Sequence, residues 1–354
     1  MTDLKEIQKI ADDFSRTPLN LKPFKKRSRK DVADGLRAVF WYHTVRHQLG
    51  EKSSYALEKR FDEKGSFKRN ADGKLIYPHR WQKYSHGERV PIPSLVVNVE
   101  KECKGSARKL NHVLWEALRL EQPVCPHVEV WLRELNPDIQ MVVFHIEHRE
   151  FDVIYKREKI GLRLLGKLSD RASMDALACL TILFREAVEL ERFHDAFLLG
   201  REIHWMLLFL GIEFQRNGVG KELIKLYCDR IFPMLAWDEQ CFFPERTDYV
   251  GASCFLNLSP FYHPAHKGKS LSWETRVRCM RRLSSTRGNW AVMFGLDIEY
   301  GPNPDSQDIP KKLLQEYERR KRIVERAKEA ISLGISDVGF LFGRRPPPNT
   351  FFQR

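Results

Sequence analysis

The sequence predicts a mainly α-helical protein: an N-terminal domain of short helices with a small β-hairpin insertion, followed by a larger helical-bundle domain. Three observations lead there. Apolar residues recur three and four positions apart through most of the 354 residues, often behind a Ser or Asp able to cap a helix. The segments MDALACLTILFREAVELERF and AFLLGREIHWMLLFLGIEF are apolar on most sides, as core helices are. The clear hairpin signature is GSFKRNADGKLIY, where Phe67 and Lys68 approach a turn at Asn70 to Gly73 and Leu75 to Tyr77 return.

In chain order, residues 1–30 are expected to hold a short helix and a basic arm. Leu4, Ile7, Ile10, Ala11 and Phe14 have helical spacing. LKPFKKRSRK follows, with six cations and no acid. It reads either as a solvated linker or as an arm whose Lys25, Lys26, Arg27, Arg29 and Lys30 lie along phosphates or a minor groove. Asp31 is placed to cap a helix reaching about Leu49 and carrying Leu36, Val39, Phe40, Tyr42, His43 and His47. His43 and His47 are four apart, but no further ligand follows at metal spacing, so packing or phosphate contact is expected.

Ser53 or Ser54 caps the next helix, with Leu57 and Phe61 on one face. Another helix is expected from Pro78 to Gly87, residues favoured at the start and just past the end. Trp81 and Tyr84 share its inner face, which leaves His79, Arg80, Gln82 and Lys83 outward. Leu95, Val96 and Val99 mark the helix after it, and GSARKLNHVLWEALRL reads as one more, with Leu110, Val113, Leu114 and Leu118 inward.

Charge singles out this region. Residues 20–110 hold 22 Lys and Arg against 10 Asp and Glu, and the rest of the chain holds 38 against 37. Nearly all of the formal +13 is therefore local, the footprint expected for a polyanion partner. A short helix with an aromatic inner face and Arg, Gln and Lys outside suits base-edge contact: Arg and Lys reach guanine, and Gln pairs with adenine.

This arrangement resembles the Cro/CI-type (XRE-like) helix-turn-helix domain over roughly residues 31–104. Trp81, Tyr84, Gly87, Arg89, Pro91 and Pro93 stand at the family's recognition-helix and following-turn positions, and LRAVFWYHTVRHQLGEKSS resembles its first helix and the capped start of its second. Two departures stand out: the family's tight turn is replaced by the sixteen residues Asp62 to Tyr77, and Glu58 takes the place of a small residue. The resemblance implies double-stranded DNA as partner. His79, Arg80, Gln82 and Lys83 are then the candidates for base contact, and Lys25, Lys26, Arg27, Arg29, Lys30, Lys68, Arg69 and Arg89 for phosphate contact.

Domain boundaries are expected near 31–120, 137–306 and 307–354. IQMVVFHI is either a buried strand or a helix, since its periodicity is indifferent between the two. His145 and His148, three apart, lack further ligands nearby. Lys221 to Leu235 reads as a helix with Leu223, Ile224, Tyr227, Ile231 and Leu235 inward, and residues 236–270 read as irregular. That stretch holds a weak zinc candidate in Cys241, Cys254, His263 and His266, although the first two lie thirteen apart. Residues 271–287 form a basic helix, read as a solvated face or a second phosphate contact. Leu313, Tyr317, Arg320, Val324, Ala327 and Ile331 make a coiled-coil-like seam, open to packing on the bundle or to a homodimer contact.

No GxSxG elbow, Gly-rich phosphate loop or HExxH occurs. Glu186, Glu189, Glu191, His194, Asp195, Arg201, Glu202 and His204 are the densest polar cluster and read as exposed helix faces rather than a nuclease-like site. No motif calls for a cofactor. Seven irregularly spaced cysteines suit a reducing cytoplasm. The acidic, amphipathic start is unlike a signal peptide, and the longest uncharged apolar run, Trp205 to Ile212, is too short to span a bilayer. The expectation is a cytoplasmic, sequence-specific DNA-binding regulator whose helical domain dimerises, senses an effector or recruits a protein. The alternative is a nucleic-acid-processing enzyme or defence effector.

Overall fold

The computed structural model describes residues 3–16, 31–62, 68–69, 75–76, 79–149, 152–237, 240–243, 248–285, 289–303, 306 and 309–332. It is mainly helical, and the chain divides into two compact units. The smaller comprises residues 17–121 with 213–223, the larger residues 1–16, 122–212 and 224–354. Helix α1 (Leu4–Arg16) thus packs within the larger unit, burying Ile7, Ala11 and Phe14.

The smaller unit starts with α2 (Val32–Gln48), whose cap Asp31 accepts from the Ala33 N–H at 3.0 Å. Then α3 (Ser54–Phe61) starts at Ser53, whose Oγ accepts from the Ala56 N–H. Strands β1 (Lys68–Arg69) and β2 (Leu75–Ile76) pair antiparallel, Lys68 opposite Ile76, so the hairpin is present. After it come α4 (Arg80–Ser85), α5 (Pro93–Glu102), α6 (Ser106–Leu110) and α7 (Val113–Ala117). The last two replace the single helix expected there. His112 adopts extended backbone and its Nδ1 accepts from the Leu114 N–H at 3.1 Å, which ends one helix and caps the next. The apolar positions Leu110, Val113, Leu114 and Leu118 are buried all the same.

One apolar cluster joins α2 through Trp41, Tyr42 and Val45 to Leu57, Phe61, Trp81, Tyr84, Leu95, Val96, Val99 and Leu110. On the other side of α2, Phe40 meets Trp115 at 5.6 Å and Phe214 at 6.2 Å, and the Thr44 hydroxyl donates to Asn217 Oδ1. These contacts explain why residues 213–223, expected in the helical domain, belong with the smaller unit.

The larger unit continues with α8 (Val128–Glu134), α9 (Pro137–Val143) and the antiparallel pair β3 (Phe144–Arg149) and β4 (Asp152–Arg157). The ambiguous IQMVVFHI is both helix and strand, changing state at Phe144. Asn136–Pro137, which reads as a break, is the cap and first turn of α9. Next come α10 (Leu162–Arg171), α11 (Met174–Glu189), capped by Ser173, α12 (Phe193–Arg216) as far as Ile212, and from Ile224 the end of α13 (Gly220–Leu226). The helix expected over Lys221–Leu235 changes character instead, through a π turn at Tyr227–Ile231 and a 3-10 turn at Phe232–Met234, while its five inner residues stay buried. Pro233, which has no N–H for an α-helical bond, sits in the second turn.

Strands β5 (Ala236–Trp237), β6 (Gln240–Phe242) and β7 (Tyr300–Pro302) form a small antiparallel sheet, so the GPNPDSQ break begins in a strand. Between them lie α14 (Tyr249–Tyr262), α15 (Trp273–Leu283) and α16 (Trp290–Gly295), and α17 (Lys311–Ser332) follows. The expectation of irregular chain at 236–270 is corrected by α14, which is buried on nearly every side. Asn257 on α14 is a polar clamp: its amide donates to the Leu208 and Phe209 carbonyls of α12, and its Oδ1 accepts from Arg276 Nη2 at 2.7 Å. Arg276 is therefore buried and lies over the Trp273 ring, whereas the sequence places it among the outward cations of α15. The α17 seam is filled from within the larger unit, with Ile331 and Ala327 against Gly295 and Tyr317 against Gly301.

Close approach fixes where glycine is needed. A Cβ on Gly211 of α12 would lie 2.3 Å from Ser253 Oγ and 3.3 Å from the Phe14 ring, so Gly211→Ala is expected to destabilise the larger unit by about 1–3 kcal/mol. Gly166 of α10 meets only the tip of Arg281, at 3.8 Å, and Gly166→Ala should stabilise by up to about 1 kcal/mol through helix propensity. Urea midpoints that move in opposite directions check both signs.

Candidate nucleic-acid interface

A six-residue helix such as α4 is too short to persist alone, so its neighbours must hold it. Trp81 supplies the grip. Fully buried, it stacks on Trp41 at 5.3 Å and on Phe61 at 5.6 Å, while Tyr84 meets Trp81 and Trp41 edge-on at 5.9 and 6.0 Å. The helix begins at Arg80 rather than at Pro78, which lies outside the described residues. His79 occupies the cap position in left-handed backbone (φ 50°) with no side-chain cap. The missing acceptor comes from α3: Glu58, 3% exposed, takes the Arg80 N–H on Oε1 at 2.8 Å. At the other end Gly87 is left-handed, its N–H donates to the Tyr84 carbonyl, and the Glu88 N–H donates to the Lys83 carbonyl. That pair of bonds is a Schellman motif.

With both ends fixed, the outer face is set. His79, Arg80 and Gln82 are exposed and Lys83 is half-buried. His86 Nδ1 and the Ser85 hydroxyl both donate to the Gln82 carbonyl, at 2.7 and 2.8 Å. A cleft of about 420 Å³ lies between α3 and α4, with Ser53, Tyr55, Glu58, His79, Gln82 and His86 along its walls. Tyr55, 50% exposed, is absent from the sequence candidates. The signal for it was there: Leu57 and Phe61 fix the inner face of α3, and Tyr55 falls opposite.

The acids of this unit are largely spent inside it. Asp34 binds Arg37 and Arg119, both at under 3 Å, and Glu51 and Glu102 share Arg60. Burial raises the pKa of Asp62 at the end of α3, against the pull of the nearby Arg80 guanidinium. Glu100 receives the Gly105 and Ala107 N–H groups and the Ser106 hydroxyl. Burial works against its ionisation, but those three donors outweigh it and hold its pKa below the usual carboxylate range. Lys52, Lys59, Arg89, Lys101, Lys104 and Arg108 are meanwhile exposed. Burial is also the main cause of a lowered pKa at His47, followed by repulsion from Arg46 and Arg216, so His47 loses its proton more readily than usual.

Other candidates fall elsewhere. Lys25, Lys26, Arg27, Arg29 and Lys30 lie outside the described residues, and Lys68 and Arg69 are described as the backbone of β1 only. Among the described residues no three His, Cys, Asp or Glu side chains gather into a metal-holding group. Of the zinc candidates, Cys254 is buried against the Ala11 carbonyl, His263 caps a short turn through the Ala265 N–H, and His266 bonds the Pro260 carbonyl. In the polar cluster of α11 and α12, Glu186 binds Arg157 and Arg192, Glu189 takes the Val124 and Cys125 N–H groups, and Arg201 binds Asp297. His204 is fully buried: its Nε2 donates to the Leu296 carbonyl, so Nδ1 accepts from the Tyr249 hydroxyl, and burial pushes its pKa down to about 4. These residues fasten the unit together. No described helix is long and apolar enough to cross a membrane. No protein-family model, curated protein or solved structure compared with the chain matches it.

Glu58→Ala removes the acceptor at the start of α4 and is expected to cost about 0.5–2 kcal/mol, while Glu58→Gln keeps an acceptor and should cost less; urea denaturation followed by tryptophan fluorescence and far-UV circular dichroism reads both. Because the folded-state pKa of Glu100 is depressed, its contribution is present above the unfolded carboxylate pKa and is lost as pH falls through the folded one. Glu100→Gln should therefore flatten the acid limb of the stability–pH curve and leave the neutral region parallel to wild type.

Proposed function

We propose that the protein binds duplex DNA in a sequence-dependent way, as a regulator would, with α3 and α4 acting as a helix-turn-helix of the Cro/CI kind. The observation that carries the reading is the outer face of α4: Arg80, Gln82 and Lys83 project from a helix whose axis is fixed by Trp81 inside and by bonds at both ends. Base readout needs that fixity, because a bidentate Arg–guanine or Gln–adenine pair tolerates little displacement. At about 1.5 Å per residue, α4 is roughly 9 Å long, so it can lay its single outward face within a major groove about 12 Å wide.

Arg80, Gln82 and Lys83 are assigned to base edges, with His79 beside them at the start of the helix. Arg89, Lys68, Arg69 and the arm cations Lys25, Lys26, Arg27, Arg29 and Lys30 are assigned to phosphates, where position matters less than charge. The concentration of positive charge in residues 20–110 supports the same partner. The hairpin β1–β2 stands where the family has a tight turn, and in this reading it is a wing that touches backbone beside the recognition helix. The Glu186–His204 cluster is engaged by its own neighbours and lends no support to a nucleic-acid-processing reading.

Selection of bound sequences from a random duplex pool with the full chain at near-physiological salt is the test. An enriched motif is expected, and Arg80→Ala or Gln82→Ala should weaken binding to it by about 1–3 kcal/mol, with little change on random duplex. Equal losses on both duplexes would count against the assignment of α4. Removal of one arm cation should instead lower affinity for every sequence and reduce the salt slope by about 0.9.

A further inference from the structure

Several arginines of the larger unit are ion-paired. Arg157 binds Glu129 and Glu186, Arg192 binds Glu186 and Asp195, and Arg201 and Arg320 share Asp297. The segment 263–285 holds six Lys and Arg against one Glu. Two of the six are accounted for: Arg276 is buried on Asn257, and Arg281 pairs with Asp170 of α10. Arg278 and Arg282, one turn apart on α15, are exposed, and their guanidinium groups make no ion pair or hydrogen bond with a described residue. Lys267 and Lys269 are exposed on the loop before α15, and the amine of Lys269 donates only to the Ala265 carbonyl.

The loop packs against α15. The His263 and His266 rings lie 5.1 Å apart, and His266 Nδ1 is 4.0 Å from the Cys279 thiol, which stands between Arg278 and Arg282 in sequence. Burial is the first cause of a lowered His263 pKa, and His266 and Arg282 add to it, which places Arg282 within electrostatic reach of the loop. Cations held on one surface with a single carboxylate among them, Glu274, repel one another, and an anion relieves that repulsion.

We infer that α15 and the 263–269 loop form a second polyanion-binding surface, on the larger unit, that takes the phosphate backbone of nucleic acid. Among the described residues the exposed large apolar side chains all lie outside 263–285, so this surface offers no described group for lipid insertion. Its exposed groups are cations on a helix face and a loop, which suit phosphate and not base reading. This goes beyond the role given to α4 and can fail separately from it.

The test uses the full chain, an R278Q/R282Q variant and an R80A/Q82A variant, each titrated with the enriched duplex and a random-sequence duplex over a range of salt. Thermal unfolding of the first variant should match wild type, since both side chains are exposed. The expected result is a log–log salt slope shallower by about 2 for R278Q/R282Q, equal on both duplexes. R80A/Q82A should instead lose only the preference for the enriched duplex. An R278Q/R282Q variant with wild-type slope and affinity overturns the surface and leaves α4 standing. A wild type with no sequence preference, but with duplex binding that R278Q/R282Q weakens, overturns α4 and leaves the surface. No salt-dependent duplex binding by wild type, or loss on phosphatidylserine-rich vesicles with none on duplex, overturns the surface as a nucleic-acid contact.

Discussion

The stacking of Trp81 between Trp41 and Phe61 is the contact on which the smaller unit depends. Without it α4 loses its main apolar hold, and six residues cannot by themselves offset helix nucleation in water. The same sandwich ties α2, α3 and α4 into one cluster, to which α5 adds Leu95, Val96 and Val99. It also decides which side chains face out. Fixing Trp81 and Tyr84 inward forces Arg80, Gln82 and Lys83 toward solvent, whatever their own preferences.

Charge in this unit is sorted by use. Carboxylates stabilise helix ends or pair with arginines inside the unit: Asp31 on α2, Glu58 on α4, Glu100 on the start of α6, Glu51 and Glu102 on Arg60. Many lysines, by contrast, stay at the surface. The unit's net positive charge is therefore carried outward by exposed lysines and arginines, while its carboxylates are engaged at short range. Glu58 shows this best. In the sequence it is a departure from a family pattern; in the fold it supplies the acceptor that His79, in left-handed backbone, does not.

Local chemistry was legible and tertiary chemistry was not. Asp31, Ser53 and Ser173 cap the helices they precede, and Gly87 ends α4, because those bonds are set within a few residues. The start of α4 at Arg80 was not readable, since its acceptor comes from another helix. Nor was α14: buried on nearly every side, it has no amphipathic period, and Pro260 reads as a breaker although it falls in the last turn. Arg276 looks like one more surface cation until Asn257 and Trp273 are in place around it. The face of α4 was legible through its aromatic spacing, whereas the cation patch on α15 needed the structure to show which arginines already have partners.

The two cationic surfaces differ in how they are supported, and that difference bears on what each is fit for. α4 is held by a buried indole, a carboxylate at one end and a Schellman turn at the other, so its side chains project from a fixed axis. Discrimination among base pairs is worth about 1–3 kcal/mol per bidentate contact and disappears if the donors drift, so it demands that rigidity. The 263–269 loop and the outer face of α15 have charge but no comparable lock around Arg278 and Arg282. Phosphate attraction decays slowly with distance and is indifferent to sequence, so such a surface loses little by being loosely aimed. In the proposed reading, a precise reader and an imprecise anchor within one chain are complementary: the anchor would keep the reader near the polymer through effective concentration, and the reader alone would set where it stops.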